Sequence, residues 1–367
     1  MTILINNAFQ ATQIFIVIFV LVLLLTIRKK PILDGLSINV TQELKGFAIL
    51  AIIFSHIGYF LVSDTRFLFP LSIAAGVGVN LFLILSGYGL TISALSKPLS
   101  IIQFYKHRLL KIYLPFWIIF LLFLGLDFFI LGKVYSFDYI WQSLLGFFPS
   151  ANSFDINSPF WYFTFIVAYY LLFPVVFLRK IPWLSAIILY LAGYFLFYQN
   201  PHFLNEVMRL YKVHILAFPL GVLIGSLVFK YKGSLVQARF NNIWQRVTKL
   251  KLLNIIGYCI FLLFLSGLVV YTAYYSNVGG TRLAEELTSI LTCLALIALF
   301  SIKKIENRLF YWFGIFSYEI YLFHWPILSR FDIFYFWTPA WLATILYLTF
   351  FMAIAWTMRF LLNRIKS

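Results

Sequence analysis

Acidic side chains are scarce in this sequence. Twelve Asp and Glu stand against 28 Lys and Arg in 367 residues, and all charged residues together make up 11%. A water-exposed fold of ordinary composition carries about 25%, so there is too little polar surface here to cover a soluble domain of this length. Cysteine is scarcer still. Cys259 and Cys293 both lie in apolar runs, which argues against a disulfide framework or a CxxC-type metal site and reads both as core residues. No GxGxxG, Walker A, HExxH or GxSxG pattern occurs, so the usual dinucleotide, P-loop, metalloprotease and serine-hydrolase sites are not expected, and neither is a metal. No internal repeat of the kind that marks many secondary transporters is evident.

Apolar residues are abundant instead, at 63%, with 21% aromatic and a mean hydropathy of +0.94. A helix needs roughly 20 mostly apolar residues to cross about 30 Å of hydrocarbon, and such runs recur along the whole chain. Eleven helices are predicted, near 11–27, 47–62, 70–93, 112–131, 159–178, 183–198, 213–229, 253–273, 285–301, 311–328 and 339–358. The first is followed by "RKK" and preceded by no positive charge, the reverse of a secretory signal, so it is kept as a span with its N-terminus outside. Alternating from there, six of the 28 cations fall outside (Arg66, Lys133, Arg209, Lys212, Arg282 and Arg330), and the other 22 fall inside. This is the asymmetry of the positive-inside rule. The net charge of +16 is therefore topological and not a nucleic-acid footprint, which needs a basic face on a water-exposed fold. The expected architecture is an all-α polytopic helix bundle in a lipid bilayer, with the C-terminus cytoplasmic. The basic inner segments 94–111 and 230–252 read either as positive-inside flanks drawn to anionic lipid or as elements lying along the membrane surface, and the outer loop 132–158 is long enough to lie over the bundle.

Ionisable groups inside such spans are costly and generally face a bundle interior or a water-filled cavity. In "KGFAILAIIFSHIGYF", 45–60, Lys45 and His56 are eleven residues apart, which on a 3.6-residue helix is three turns plus about 20°, or roughly 16 Å along the axis. Lys45, Ile49, Ile52, His56 and Tyr59 share that face. The bland alternative makes Lys45 an interfacial anchor and His56 a packing contact. In "GVGVNLFLILSGYGL", 76–90, Ser86, Gly87 and Gly89 allow close helix packing or a local break, with packing the plainer reading. In "FYKHRLLKIYLPFW", 104–117, Arg108 and Lys111 are i, i+3 neighbours, a pairing suited to a phosphate-bearing ligand. In "FGIFSYEIYLFHWPIL", 313–328, Glu319 and His324 are about 140° apart on an ideal helix, so they are not expected to point into one cavity. Glu319 requires a partner within the bundle. Trp161 and Tyr162 sit where an outer aromatic belt is expected. Asp127, His202 and His214 are placed in loops or at helix ends near the outer face.

Taken in order, these segments resemble the membrane acyltransferase 3 family. The resemblance rests on a basic residue and a histidine separated by ten residues (Lys45, His56), on "GVNLFLILSGY", on "FYKHRLLKIYLP", on a tryptophan-aromatic segment running to "YLLFP", and on "SYEIYLFHWPIL". It divides the chain into an extra N-terminal helix with a basic inner loop at 1–40, an acyltransferase domain at 41–360 and a cytoplasmic tail at 361–367. The sequence departs from the family in three places. Lysine stands at 45 where arginine is also frequent, Asn80 stands where aspartate is common, and an extra helix precedes the family core.

The resemblance implies transfer of an acyl group, most often acetyl, from cytoplasmic acyl-CoA to a hydroxyl of a glycan or lipid-linked sugar. It implies a catalytic role for His56, as base or as acyl relay, and groups Glu319 and His324 with it. It implies CoA phosphate contacts at Lys45, Arg108 and Lys111, and acceptor contacts at Trp161 and Tyr162. The expected partners are the bilayer, acetyl-CoA and the glycan acceptor, in a bacterial plasma membrane, with transfer completed by this chain or handed to another protein. A transporter or flippase for a lipid-linked or small polar substrate is the competing reading, with His56, Glu319 and His324 as a polar path.

Overall fold

A backbone that crosses hydrocarbon must satisfy its own N–H and C=O groups, so apolar runs of this length become helices. The computed structural model describes residues 3–29, 36–98, 100–152, 155–198, 207–231, 252–276 and 282–366. In chain order it contains α1 (Ala8–Leu25), β1 (Ile27–Lys29), α2 (Ile38–Ser55), α3 (Ala75–Ser96), α4 (Ile101–Leu131), α5 (Phe137–Leu144), α6 (Trp161–Val176) and α7 (Pro182–Tyr198). These are followed by α8 (Met208–His214), α9 (Ala217–Tyr231), α10 (Leu252–Tyr275), α11 (Arg282–Ile302), β2 (Ile305–Asn307), α12 (Arg308–Ile315), α13 (Ser317–Arg330) and α14 (Ala340–Lys366). The molecule is an all-α polytopic membrane protein. Among the described residues, nine helical spans are long and apolar enough to cross a bilayer.

The other two expected spans are helical but shorter. One is α7, whose apolar stretch covers Pro182–Leu196. The other, expected unbroken over 311–328, is split into α12 and α13 at Phe316, whose φ of −98° and ψ of 9° leave the helical region. Helix α4 begins at Ile101, so Lys106, His107, Arg108 and Lys111 occupy its first three turns. Most of the other basic inner segment, 232–251, lies outside the described residues, as does His202. Cys293 is buried, but Cys259 is exposed, which corrects its reading as a core residue. Most of α10 faces outward, and hydropathy does not distinguish a lipid-facing position from a packed one.

Helix α2 is central. Ile49 and Ile53, with Ile57 just beyond the helix end, pack into a core with α1, α4, α6, α13 and α14, while Val40, Leu44 and Ala48 pack into a second core with α3, α9 and α11. In lipid, such contacts depend on close approach more than on exclusion of water. Two reciprocal glycine pairs provide it. A Cβ on Gly46 would collide with the Phe310 carbonyl, and one on Gly314 would collide with the Gln42 carbonyl, so α2 and α12 touch backbone to backbone. Gly87 and Gly221 bring α3 and α9 together in the same way, whereas Gly89 has open space around it. Helix α3 runs through this glycine segment unbroken.

Both ends of the bundle are tied by polar contacts. At one end β1 pairs antiparallel with β2, and Arg28 Nε meets Glu306 Oε2 at 2.7 Å. Beside them, Glu43 Oε1 accepts from Lys303 Nζ and from the Asn307 backbone N–H, each at 2.6 Å. Burial lowers the Lys303 ammonium below its ordinary value, and Glu43 opposes that shift. At the other end, the 132–158 segment is bound onto the bundle. Arg330 donates to Asp127 Oδ2 at 2.8 Å and to the Ile156 carbonyl at 2.6 Å, and Asn157 Nδ2 donates to the Leu322 carbonyl at 2.8 Å. Tyr135 donates to the same Asp127 oxygen at 2.5 Å. Burial, then this carboxylate beside it, pushes its phenol up. Asp127, expected near a loop, is fully buried.

Candidate functional site

A cavity of about 980 Å³ runs through the bundle. Lys45, Arg108, Lys111 and Arg359 line one end, Glu319 and His56 lie along it, and Trp161, Tyr162 and His214 line a further part of the wall. Of the site residues that the family resemblance implies, His324 alone is absent from the lining, because it stands behind His56.

The basic end draws on three helices. Lys45 projects from the first half of α2, Arg108 and Lys111 from the first turns of α4, and Arg359 from the last third of α14. Lys45 experiences the like charges of Lys111, Arg108 and Arg359. Arg359 faces Glu319 Oε1 at 3.6 Å and donates to the Ile315 carbonyl at 2.7 Å. The break at Phe316 makes this contact possible, since it frees the Ile315 carbonyl from the ladder of a continuous helix. Lys45 and Arg108 make no hydrogen bond or ion pair with other described residues. Five cations and one carboxylate line the cavity, an imbalance that repels in a low-dielectric setting and is relieved by a polyanion.

His56 stands where α2 changes geometry. The α-helix ends at Ser55, and residues His56–Leu61 form a π-helical turn, a local widening that is frequent at functional sites. His56 Nδ1 lies 2.8 Å from His324 Nε2, with the two rings parallel to within 2°. His324 Nδ1 in turn lies 3.0 Å from the Ile320 carbonyl and 3.1 Å from that of Tyr321. A carbonyl only accepts, so His324 carries its proton on Nδ1 and presents a lone pair at Nε2. His56 Nδ1 must then be the donor of the 2.8 Å bond. In neutral His56 this places the lone pair on Nε2, which has no partner among the described residues and is left for the cavity that the ring lines. Trp325 and Phe60 pack edge-on against the His56 ring, at 4.8 and 6.0 Å between centroids.

The 140° separation of Glu319 and His324 is thus used differently from a shared pocket wall. Glu319 faces the cavity and Arg359, and His324 reaches the same site through His56. Trp161 and Tyr162, at the start of α6, line the cavity and do not form an outward belt. Arg359 and His214 also line the cavity and are not among the site candidates that the sequence names. Arg359 counted only as an inner flank, although a cation among "MRFLL" next to the last apolar run was a signal. His214, placed by the sequence in a loop or at a helix end near the outer face, closes α8 and is 5% exposed.

Chemically, the cavity joins a polycationic end to an oriented, proton-accepting imidazole. Residues 44–360 match the family model described as an acyltransferase domain. Comparison with curated proteins and with solved structures finds no match.

Proposed function

The chain belongs to the acyltransferase 3 family of membrane proteins, and on that premise we propose that it moves an acetyl group from cytoplasmic acetyl-CoA to a hydroxyl of a cell-surface or lipid-linked glycan. The protein is a multi-pass membrane acyltransferase. The donor, the acceptor and the residue roles below are our reading, as is placement in a bacterial plasma membrane with the basic end in the cytoplasm, which the 22-to-6 split of cations supports.

The observation that carries the reading is the single cavity shared by Lys45, Arg108, Lys111 and Arg359 at one end and His56 further along. The phosphates of CoA supply the negative charge that the basic end lacks, and the arginines suit bidentate phosphate contacts. Trp161 and Tyr162 offer aromatic walls to the acceptor. A hydroxyl is a weak nucleophile until a base takes its proton. In this reading His56 Nε2 accepts the acceptor's proton as its oxygen bonds to the thioester carbonyl carbon. The C–S bond then breaks, and the departing CoA thiolate recovers the proton from His56. Glu319 holds Arg359 in place at the donor end.

The test is acetyl transfer from labelled acetyl-CoA to surface glycan in membranes carrying wild type or His56→Ala at matched expression. A positioned base contributes about 10²–10⁴-fold, so the variant is expected to lose at least 99% of turnover. Turnover near wild type would sink the assignment, and substrate movement with no acetyl incorporated would favour a transporter.

A further inference from the structure

A second imidazole opens on the same cavity and has no part in the chemistry above. His214, at the end of α8, lines the cavity and is 5% exposed. Its Nδ1 lies 2.7 Å from Asn80 Oδ1, and Asn80 Nδ2 donates to Ser289 Oγ at 2.8 Å. Asn80 and Ser289 are themselves buried. This chain, running from α11 through α3 to α8, commits the Asn80 oxygen to accept and therefore commits His214 Nδ1 to donate. The lone pair of the neutral ring is then on Nε2, for which the described residues provide no donor. Trp161 packs parallel to the imidazole, at 5.6 Å between centroids and 17° between planes, and holds its orientation. Three helices thus fix a buried ring whose remaining valence can only accept a hydrogen bond.

A polar atom that is fixed in orientation and opens on the cavity without a protein partner is placed to take a hydrogen bond from a ligand. The group that complements it is an O–H donor. The cavity already contains one lone-pair nitrogen, at His56, for the hydroxyl that reacts. A ligand satisfying both nitrogens carries at least two hydroxyls, one to react and one to be held.

We infer that His214 is a positioning residue for the acceptor, binding a second hydroxyl of the sugar and so selecting which of its hydroxyls reaches His56. This rests on the acyl-transfer reading above. Asn80 has a matching purpose. Its amide orients His214 without adding the negative charge that aspartate would bring, so the ring stays an acceptor.

Binding separates this proposal from the transfer reaction. Wild-type protein in lipid nanodiscs is titrated with acetyl-CoA and, separately, with the methyl pyranosides of glucose, galactose, mannose and N-acetylglucosamine, together with the monodeoxy analogues of whichever binds most tightly. The variants are His214→Phe, which keeps a ring against Trp161, and His214→Gln, which restores an acceptor oxygen. His214→Phe is expected to weaken the glycoside by roughly tenfold, the scale of one hydrogen bond to a buried group. Acetyl-CoA affinity should stay within about twofold, and His214→Gln should recover part of the loss. One monodeoxy sugar should bind wild type about as weakly as the parent sugar binds His214→Phe. The inference is overturned if none of the glycosides binds wild type saturably, if His214→Phe binds them as wild type does, or if acetyl-CoA affinity falls in parallel. Failure of wild type to bind acetyl-CoA would instead count against the donor assignment and leave the glycoside comparison readable.

Discussion

The proton on His324 Nδ1 governs the site from two bonds away. The Ile320 and Tyr321 carbonyls hold it in place, and the effect passes through the 2.8 Å contact to His56. A residue that sets another's tautomer should matter to turnover and not to donor affinity. His324→Phe, which fills the space but accepts nothing, is expected to lower kcat by roughly 10²-fold, within the range of a general base, with KM for acetyl-CoA unchanged. His324→Gln, whose amide oxygen can accept from His56 Nδ1–H, should retain clearly more activity. Equal activities would mean that His324 only packs. At the donor end the split reverses, and Arg108→Ala or Arg359→Ala should raise KM for acetyl-CoA about tenfold, on the order of one charge-assisted contact. Steady-state kinetics against varied donor, with saturating acceptor, decide both. The sequence made Lys45, His56, Arg108 and Lys111 legible because rare ionisable groups stand out against apolar runs. It did not make the His56–His324 bond legible, since that bond joins residues 268 positions apart and depends on how α2 and α13 cross.

Among helices, the crossing of α2 with α12 is the least forgiving contact. Gly46 and Gly314 each face the other helix's backbone, so an added methyl cannot be absorbed by a side-chain rotation. Gly46→Ala or Gly314→Ala should push the helices apart, move Lys45 relative to Arg359, and cost on the order of 1–3 kcal/mol as overpacking. A lower midpoint of thermal unfolding in detergent and a raised KM for acetyl-CoA would report it. Gly89→Ala is the control and should be neutral or slightly stabilising, since its neighbourhood is open and alanine favours helix. The positions of the helices were readable from hydropathy, and their interruptions were not. The break at Phe316 and the π-helical turn at His56 come from packing between helices, which overrides local preference. The early start of α4 was hidden because its first turns are basic, and hydropathy detects the bilayer and not the helix itself.

For the molecule as a whole, the two ends are held by opposite kinds of residue. One end gathers cations that lack enough acids, while at the other a single arginine, 13% exposed, is paired with a fully buried aspartate. Removing one partner of a buried pair leaves the other charge uncompensated, at a cost of about 3–5 kcal/mol. Arg330→Ala should therefore lower thermal stability sharply and increase protease cutting within 132–158, because the arginine also holds the Ile156 carbonyl. Arg330→Ala combined with Asp127→Asn should recover much of that stability. No recovery would mean that the arginine acts through the loop carbonyls alone.

The strand pair that ties α1 to the rest has a consequence in time. Arg28 and Glu306 are 278 positions apart, and at about 5–20 residues per second roughly 15–55 s of synthesis separates them. The first helix therefore enters the bilayer well before its clasp exists, held meanwhile by its apolar surface and by early neighbours such as Phe54 of α2, against which Phe15 packs. Its outward-facing apolar surface suits that interval, and the strand pair is a late lock on a helix already seated against α2.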